Sequence, residues 1–209
     1  MPGLFFASVT CGVVIENTHV IFQPYTFMGS NYMATVQQDA AKTTATSVGF
    51  SFNNSRLAAV WWNVDEESDW YLVSAGDVFN ASGIAQHQFT LIFAIDFAAP
   101  PVLVPAGDFY LGTNTGFFMG GGTPFPPRDV FGWVKLHNEA GALTMISNAM
   151  AYDPNGIIVG TTLIAPEPGG LALLGLAAGL TPLRRRGRYS PSITVGSRSL
   201  KLSKSASSR

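Results

Sequence analysis

Acidic side chains are missing from everything after Glu167, and basic ones from everything before Lys42. The second absence removes the usual opening of an export leader, which carries lysine or arginine ahead of an apolar stretch of about 7 to 15 residues. Met1 to Val14 has the apolar character alone. It reads as a start that lies upstream or is misassigned, in preference to a degenerate leader remnant or a first strand. Cysteine is nearly missing as well: Cys11 stands alone, so no disulfide can close within the chain and no zinc cage can be built from thiolates. Ser8-Val9-Thr10 before it falls short of a lipidation box, and a buried structural thiol is the expectation. Charged residues are scarce at 12% against 47% hydrophobic, which excludes intrinsic disorder because ample apolar surface offsets chain entropy.

The common catalytic spacings are missing too. His19, His87 and His137 are scattered without H-x-x-x-H or H-x-H spacing, so a metal-bound water is not indicated. No G-x-S-x-G elbow accompanies the many serines. Gly120-Gly121-Gly122 runs into Thr123-Pro124 rather than Lys-Ser or Lys-Thr, and so lacks the cation of a phosphate loop. No catalytic residue, metal or cofactor is assigned.

What the chain does have is short apolar or alternating segments between turn residues. Val13–Ile15, His19–Phe22, Ala34–Gln37, Thr46–Phe52, Ala58–Val64, Trp70–Val73, Gln88–Phe97, Asp108–Gly112, Val130–Leu136, Leu143–Tyr152 and Ile157–Leu163 read as strands. Glu16-Asn17, Asn53-Asn54-Ser55, Ser74 to Asp77 and Asn80 to Gly83 read as the turns between them. Asn53 and Asn80 also head N-x-S tripeptides, which mark exposed turns. The rhythm predicts an all-β domain, an antiparallel β-sandwich of jelly-roll type over residues 1–163, with short helices in the less regular Met28–Ala41. A closed barrel is the alternative.

Asp65, Glu66, Glu67 and Asp69 form an acidic cluster flanked by Trp61, Trp62, Trp70 and Tyr71. Clustered carboxylates can hold calcium and aromatic faces can stack on sugars, while paired carboxylates can cleave glycosides. The spacing D-x-[DN]-x-[DN]-G is missing, and the favoured reading is a solvated loop between strands whose tryptophans fill the core. Trp61, Trp62 and Trp70 remain the glycan-binding candidates, with Glu66 and Glu67 as the carboxylates of a hydrolase.

The most specific segment is Ala165 to Arg188, APEPGGLALLGLAAGLTPLRRRGR. Pro166 and Pro168 keep Glu167 extended, because proline fixes φ and has no amide hydrogen. Gly169 to Leu183 is uncharged and rich in Leu and Ala, which lipid would make helical. Arg184, Arg185, Arg186 and Arg188 follow. Up to and including Glu167 there are four basic and thirteen acidic residues, a net charge of −9; the remaining eight basic residues all come after it. That flip across one apolar run is the positive-inside pattern of a membrane protein. It outweighs reading the Ser-rich tail, residues 189–209, as a disordered nucleic-acid-binding arm.

Pro166-Glu167-Pro168, the Leu/Gly/Ala run and the arginine cluster together resemble the tripartite PEP-CTERM sorting signal of exported bacterial proteins, spanning residues 164–188. The resemblance implies a substrate of exosortase, a membrane protease-transpeptidase, held briefly in the inner membrane and then passed to the cell surface or extracellular matrix. The chain departs from the pattern in its apolar run, about 15 residues or roughly 22 Å of helix against about 30 Å of hydrocarbon, and in the tail after Arg188. Asp108–Gly112 and the hairpin Phe131–Tyr152 are similar to the strands that precede the signal in many such proteins. The expectation is a non-enzymatic surface or matrix protein whose partners are exosortase, the inner membrane and exopolysaccharide, not nucleic acid. The alternative is a carbohydrate-binding or carbohydrate-cleaving domain delivered by the same signal.

Overall fold

The computed structural model describes residues 12–62, 68–94, 97–116 and 129–166. Among them the chain is almost wholly antiparallel strand: β1 (Val13–Glu16), β2 (Val20–Phe27), β3 (Ser30–Gln37), β4 (Ala45–Asn53), β5 (Arg56–Trp62), β6 (Ser68–Val73), β7 (Val78–Phe79), a short helix α1 (Ala81–Ala85), β8 (Thr90–Ala94), β9 (Phe97–Ala98), β10 (Val102–Leu103), β11 (Gly107–Thr115), β12 (Val130–Glu139), β13 (Ala142–Tyr152) and β14 (Ile157–Ile158). A seven-stranded sheet in the order β1-β13-β12-β11-β6-β8-β9 faces a five-stranded sheet in the order β10-β5-β4-β3-β2, and β7 pairs β14 apart from both. The sheets keep open edges, so there is no closed barrel.

Alternation builds the five-stranded sheet. In β3, Tyr32, Ala34 and Val36 are buried while Met33, Thr35 and Gln37 point away, the period of two that a pleat imposes. Its hairpins turn on two residues in the left-handed region: Met28-Gly29 (φ 45° and 85°), Asn54-Ser55 (50° and 59°), and, in the other sheet, Ala140-Gly141 (51° and 85°). Such paired positive φ values match the right-handed twist of the flanking strands. Between the sheets lies a continuous core that includes Phe22, Val36, Phe50, Leu57, Trp70, Phe93, Leu111, Val134, Leu136 and Met150.

The seven-stranded sheet is buried on its second face as well. Tyr71, Val73, Phe131, Trp133, Ala149 and Ala151 turn away from the first core and pack beneath Phe79, Ile157 and Val159. Phe79 is the centre of this layer, with ring centroids 5.1 Å from Phe89, 5.7 Å from Tyr71 and 5.9 Å from Phe131. Gly112 admits it, since a Cβ there would lie 2.9 Å from the Phe79 ring. The result is three layers, the third a strap made of β7, α1 and β14.

Several expectations are corrected. Met28–Ala41 holds the hairpin turn and β3 rather than short helices; the helix lies instead at Ala81–Ala85, where the Asn80 side chain accepts from the Gly83 amide and caps the first turn. Gln88–Phe97 divides into β8 and β9, and Ile157–Leu163 is strand only at Ile157–Ile158. The five-stranded sheet runs as the meander β2-β3-β4-β5 and the larger one contains the meander β11-β12-β13, an order unlike the two Greek keys of a jelly roll. Among the described residues no helix is long and apolar enough to cross a membrane. The segment expected to do so, Gly169–Leu183, lies outside the described residues, as do Glu167, Pro168 and the four arginines.

Candidate functional site

The described chain runs up to Pro166, and its last turns are tied down. The Trp133 indole N–H donates to the Thr161 carbonyl at 2.8 Å, the Ile158 amide to Leu163 at 3.0 Å, and the Ala165 amide to Gly156 at 3.0 Å. Ile164 bridges Ile157, and Ala165 is only 2% exposed. Pro166, the next residue, is exposed. A residue that proline geometry keeps out of helix and sheet therefore follows directly on a pinned backbone, with no linker between.

The tryptophan candidates do not share one face. Trp70 is 0% exposed, edge-on to Phe50 at 5.4 Å, and its indole N–H donates to the Ser68 hydroxyl at 3.0 Å. This corrects its candidacy as a glycan contact, because a ring with no accessible face cannot stack on a ligand. Trp62 lies 4.8 Å from Phe93 and packs against the main core. Trp61, its neighbour on β5, takes the opposite face, as alternation requires, and stands edge-on to Phe27 at 5.5 Å. Asp69 pairs with Asn114 in the ladder, while Asp65, Glu66 and Glu67 lie outside the described residues, as do Gly120 to Gly122 and Cys11. Sequence reading missed Tyr25 and Phe27. The signal was their i, i+2 spacing around Thr26, which sets both rings on one side of β2.

The histidines occupy three separate places. His19 is buried, its ring nitrogens 2.9 Å from the Thr18 hydroxyl and 3.3 Å from the Ala40 carbonyl. His87 is exposed after α1. His137 sits 2.6 Å from Asp108, whose other oxygen meets the Lys135 ammonium at 2.6 Å. Hydrogen bonds from Lys135 and then His137 lower the Asp108 pKa, and the Asp108 bond raises that of Lys135. These groups are open to solvent, where such pairs add little stability. Among the described residues no three His, Cys, Asp or Glu side chains gather closely enough to hold a metal ion.

The most organised charge is structural. Asp39 sits in the β3–β4 loop and accepts from the amides of Ala41, Thr43 and Thr44 and from the hydroxyls of Thr43 and Thr44, at 2.8 to 3.2 Å. Partial desolvation works to raise its pKa, but the Thr44 and Thr43 hydrogen bonds outweigh it and hold the carboxyl far below the usual range. Because the folded pKa is depressed, this contribution is fully present above about pH 4 and is lost as pH falls toward the folded value. Asp39→Ala should therefore lower stability by about 1 to 2 kcal/mol at neutral pH, and the difference from the parent should shrink on acidification. Denaturant melts of both proteins between pH 7 and pH 3 check this; a gap that stays constant with pH would refute it. Nearby, burial and then the Asp39 charge raise the pKa of Tyr152, whose hydroxyl donates to the Gln37 carbonyl at 3.2 Å.

Comparison with protein-family models, with characterised proteins and with solved structures finds no match for this chain.

Proposed function

We propose that this chain is an exported, non-enzymatic surface or matrix protein, sorted through its C-terminal segment in the manner of the PEP-CTERM proteins it resembles. The observation that carries the reading is the change of charge from −9 to all-basic across one uncharged run. Lys and Arg beside an apolar helix hold their side of the membrane in the cytoplasm. In this reading Gly169–Leu183 forms a single transmembrane helix, and the Arg184, Arg185, Arg186 and Arg188 stems reach along it to make good its short length. Pro166, Glu167 and Pro168 then stand on the outer side as the element exosortase reads. The described fold is consistent with this arrangement, since Ala165 is buried and Pro166, which begins the motif, is exposed.

The partners in this reading are exosortase and the inner membrane, with release to the cell surface or matrix. Fractionation of a bacterium expressing both chain and exosortase is the test. A full-length form should sediment with the inner membrane and a form shortened at its C-terminal end should appear outside the cell. An intact chain found only as a free cytosolic protein would end the proposal.

A further inference from the structure

We propose that the outer face of the five-stranded sheet binds an uncharged polysaccharide, seated on Tyr25, Phe27 and Trp61. The inference does not depend on the sorting reading. It begins with a distortion of β2, whose register with β3 shifts between Pro24 and Phe27. The hairpin end bends over the sheet so that Ser30 lies against Gly49, where a Cβ would come within 3.1 Å of the serine, and Phe27 reaches Trp61 across the two intervening strands β3 and β4. The Ser30 hydroxyl fixes the bend by donating to the Phe27 carbonyl at 2.6 Å. Phe27 is perpendicular to Trp61 at 89°, and Tyr25 follows 6.2 Å from Phe27, so the three rings form a stepped corner rather than a filled core. Tyr25 and Phe27 are 43% and 39% exposed, and Met28 at the turn 69%. Exposed aromatic rings offer apolar faces, and Tyr25 and Trp61 add a polar tip, which suits the C–H faces and hydroxyls of a sugar ring.

The rest of the face selects the kind of partner. The strands of this sheet contain one charged residue, Arg56 at the start of β5, whose guanidinium donates to the Pro101 carbonyl at 3.3 Å; β2, β3, β4 and β10 contain none. Their outward positions offer amides and hydroxyls instead: Gln23, and Thr35 and Ser47, whose hydroxyls lie 2.9 Å apart. Hydroxyl and amide groups beside stacking rings pair with sugar hydroxyls, and a face whose one strand-borne cation stands at the opposite end of β5 from Trp61 gives an anionic polymer or anionic bilayer little to pair with. The net charge of −9 up to Glu167 adds repulsion against both. A second copy of the chain is disfavoured at this edge, because Pro24 has no amide hydrogen and the register shift breaks the row of donors a new strand would need.

The test titrates the full chain, in a sugar-free detergent, with cellohexaose, xylohexaose and laminarihexaose, read by calorimetry. At least one should bind saturably and with little dependence on salt. Trp61→Ala and Tyr25→Ala should each weaken that binding by tenfold or more, and Tyr25→Ala, at an exposed ring, should keep the parent's unfolding midpoint. No saturable binding to any of the three, equal binding by both variants, or equal binding of alginate would overturn the proposal. So would a dimer that Trp61→Ala dissolves, which would assign the face to a second copy, or vesicle binding that Tyr25→Ala abolishes, which would assign it to lipid.

Discussion

With Glu167 changed to alanine, the chain should accumulate at full length in the inner membrane and its mature external form should fall about ten- to a hundredfold. The size follows from the loss of one charge-assisted interaction in a recognition site, about 1.5 to 3 kcal/mol, expressed as rate. Failure to mature, together with an unchanged melt of the membrane-extracted protein, would report recognition rather than misfolding. Immunoblots of inner-membrane and external fractions, compared with the parent, give the answer. Parental amounts of mature product would count against Glu167 as the element read.

Phe79→Ala should produce the largest loss of stability, about 3 to 5 kcal/mol. The ring is 0% exposed and touches the aromatic side chains of Tyr71, Phe89 and Phe131, so its removal leaves a cavity that rigid sheet residues cannot refill. It also loosens the strap, since β7 pairs β14 through Phe79 and Ile157. A domain of this size has about 5 to 15 kcal/mol to lose. Val78→Ala, one residue away and 39% exposed, should change stability far less and is the matched control. Urea unfolding of the three proteins measures it; a Phe79→Ala cost below about 1 kcal/mol would mean that the third layer is not part of the cooperative fold.

The strands that sequence reading located best are those whose pattern had one interpretation. Phe131 to Leu136 is apolar almost without interruption, and in β12 both faces are in fact covered. The third layer itself was not legible, because β7 and β14 contain two residues each and no period can show in two residues. The helix was missed for a related reason: Asn80 is equally a turn residue and an N-cap, and five helical residues carry too little of a 3.6-residue period to decide. Met28–Ala41 went the other way. Ala34–Gln37 reads as a strand and is the second half of β3; its first half, Ser30–Met33, is lost among polar residues and reads with the short helices. For the tryptophans, sequence gave proximity without direction. Trp61 and Trp62 are adjacent and point to opposite sides of β5, while Trp70 belongs to the facing sheet.

The strap also has a mechanical meaning. Tension applied at Pro166 meets first the bonds of Ala165 to Gly156 and of Leu163 to Ile158, and these open one after another like a zipper instead of sharing the load. The long ladders of β11, β12 and β13 lie behind that seam. A pull from a tether would peel away residues 162–166 and stall at Trp133, whose indole grips Thr161, sparing the two large sheets as a fuse spares a circuit.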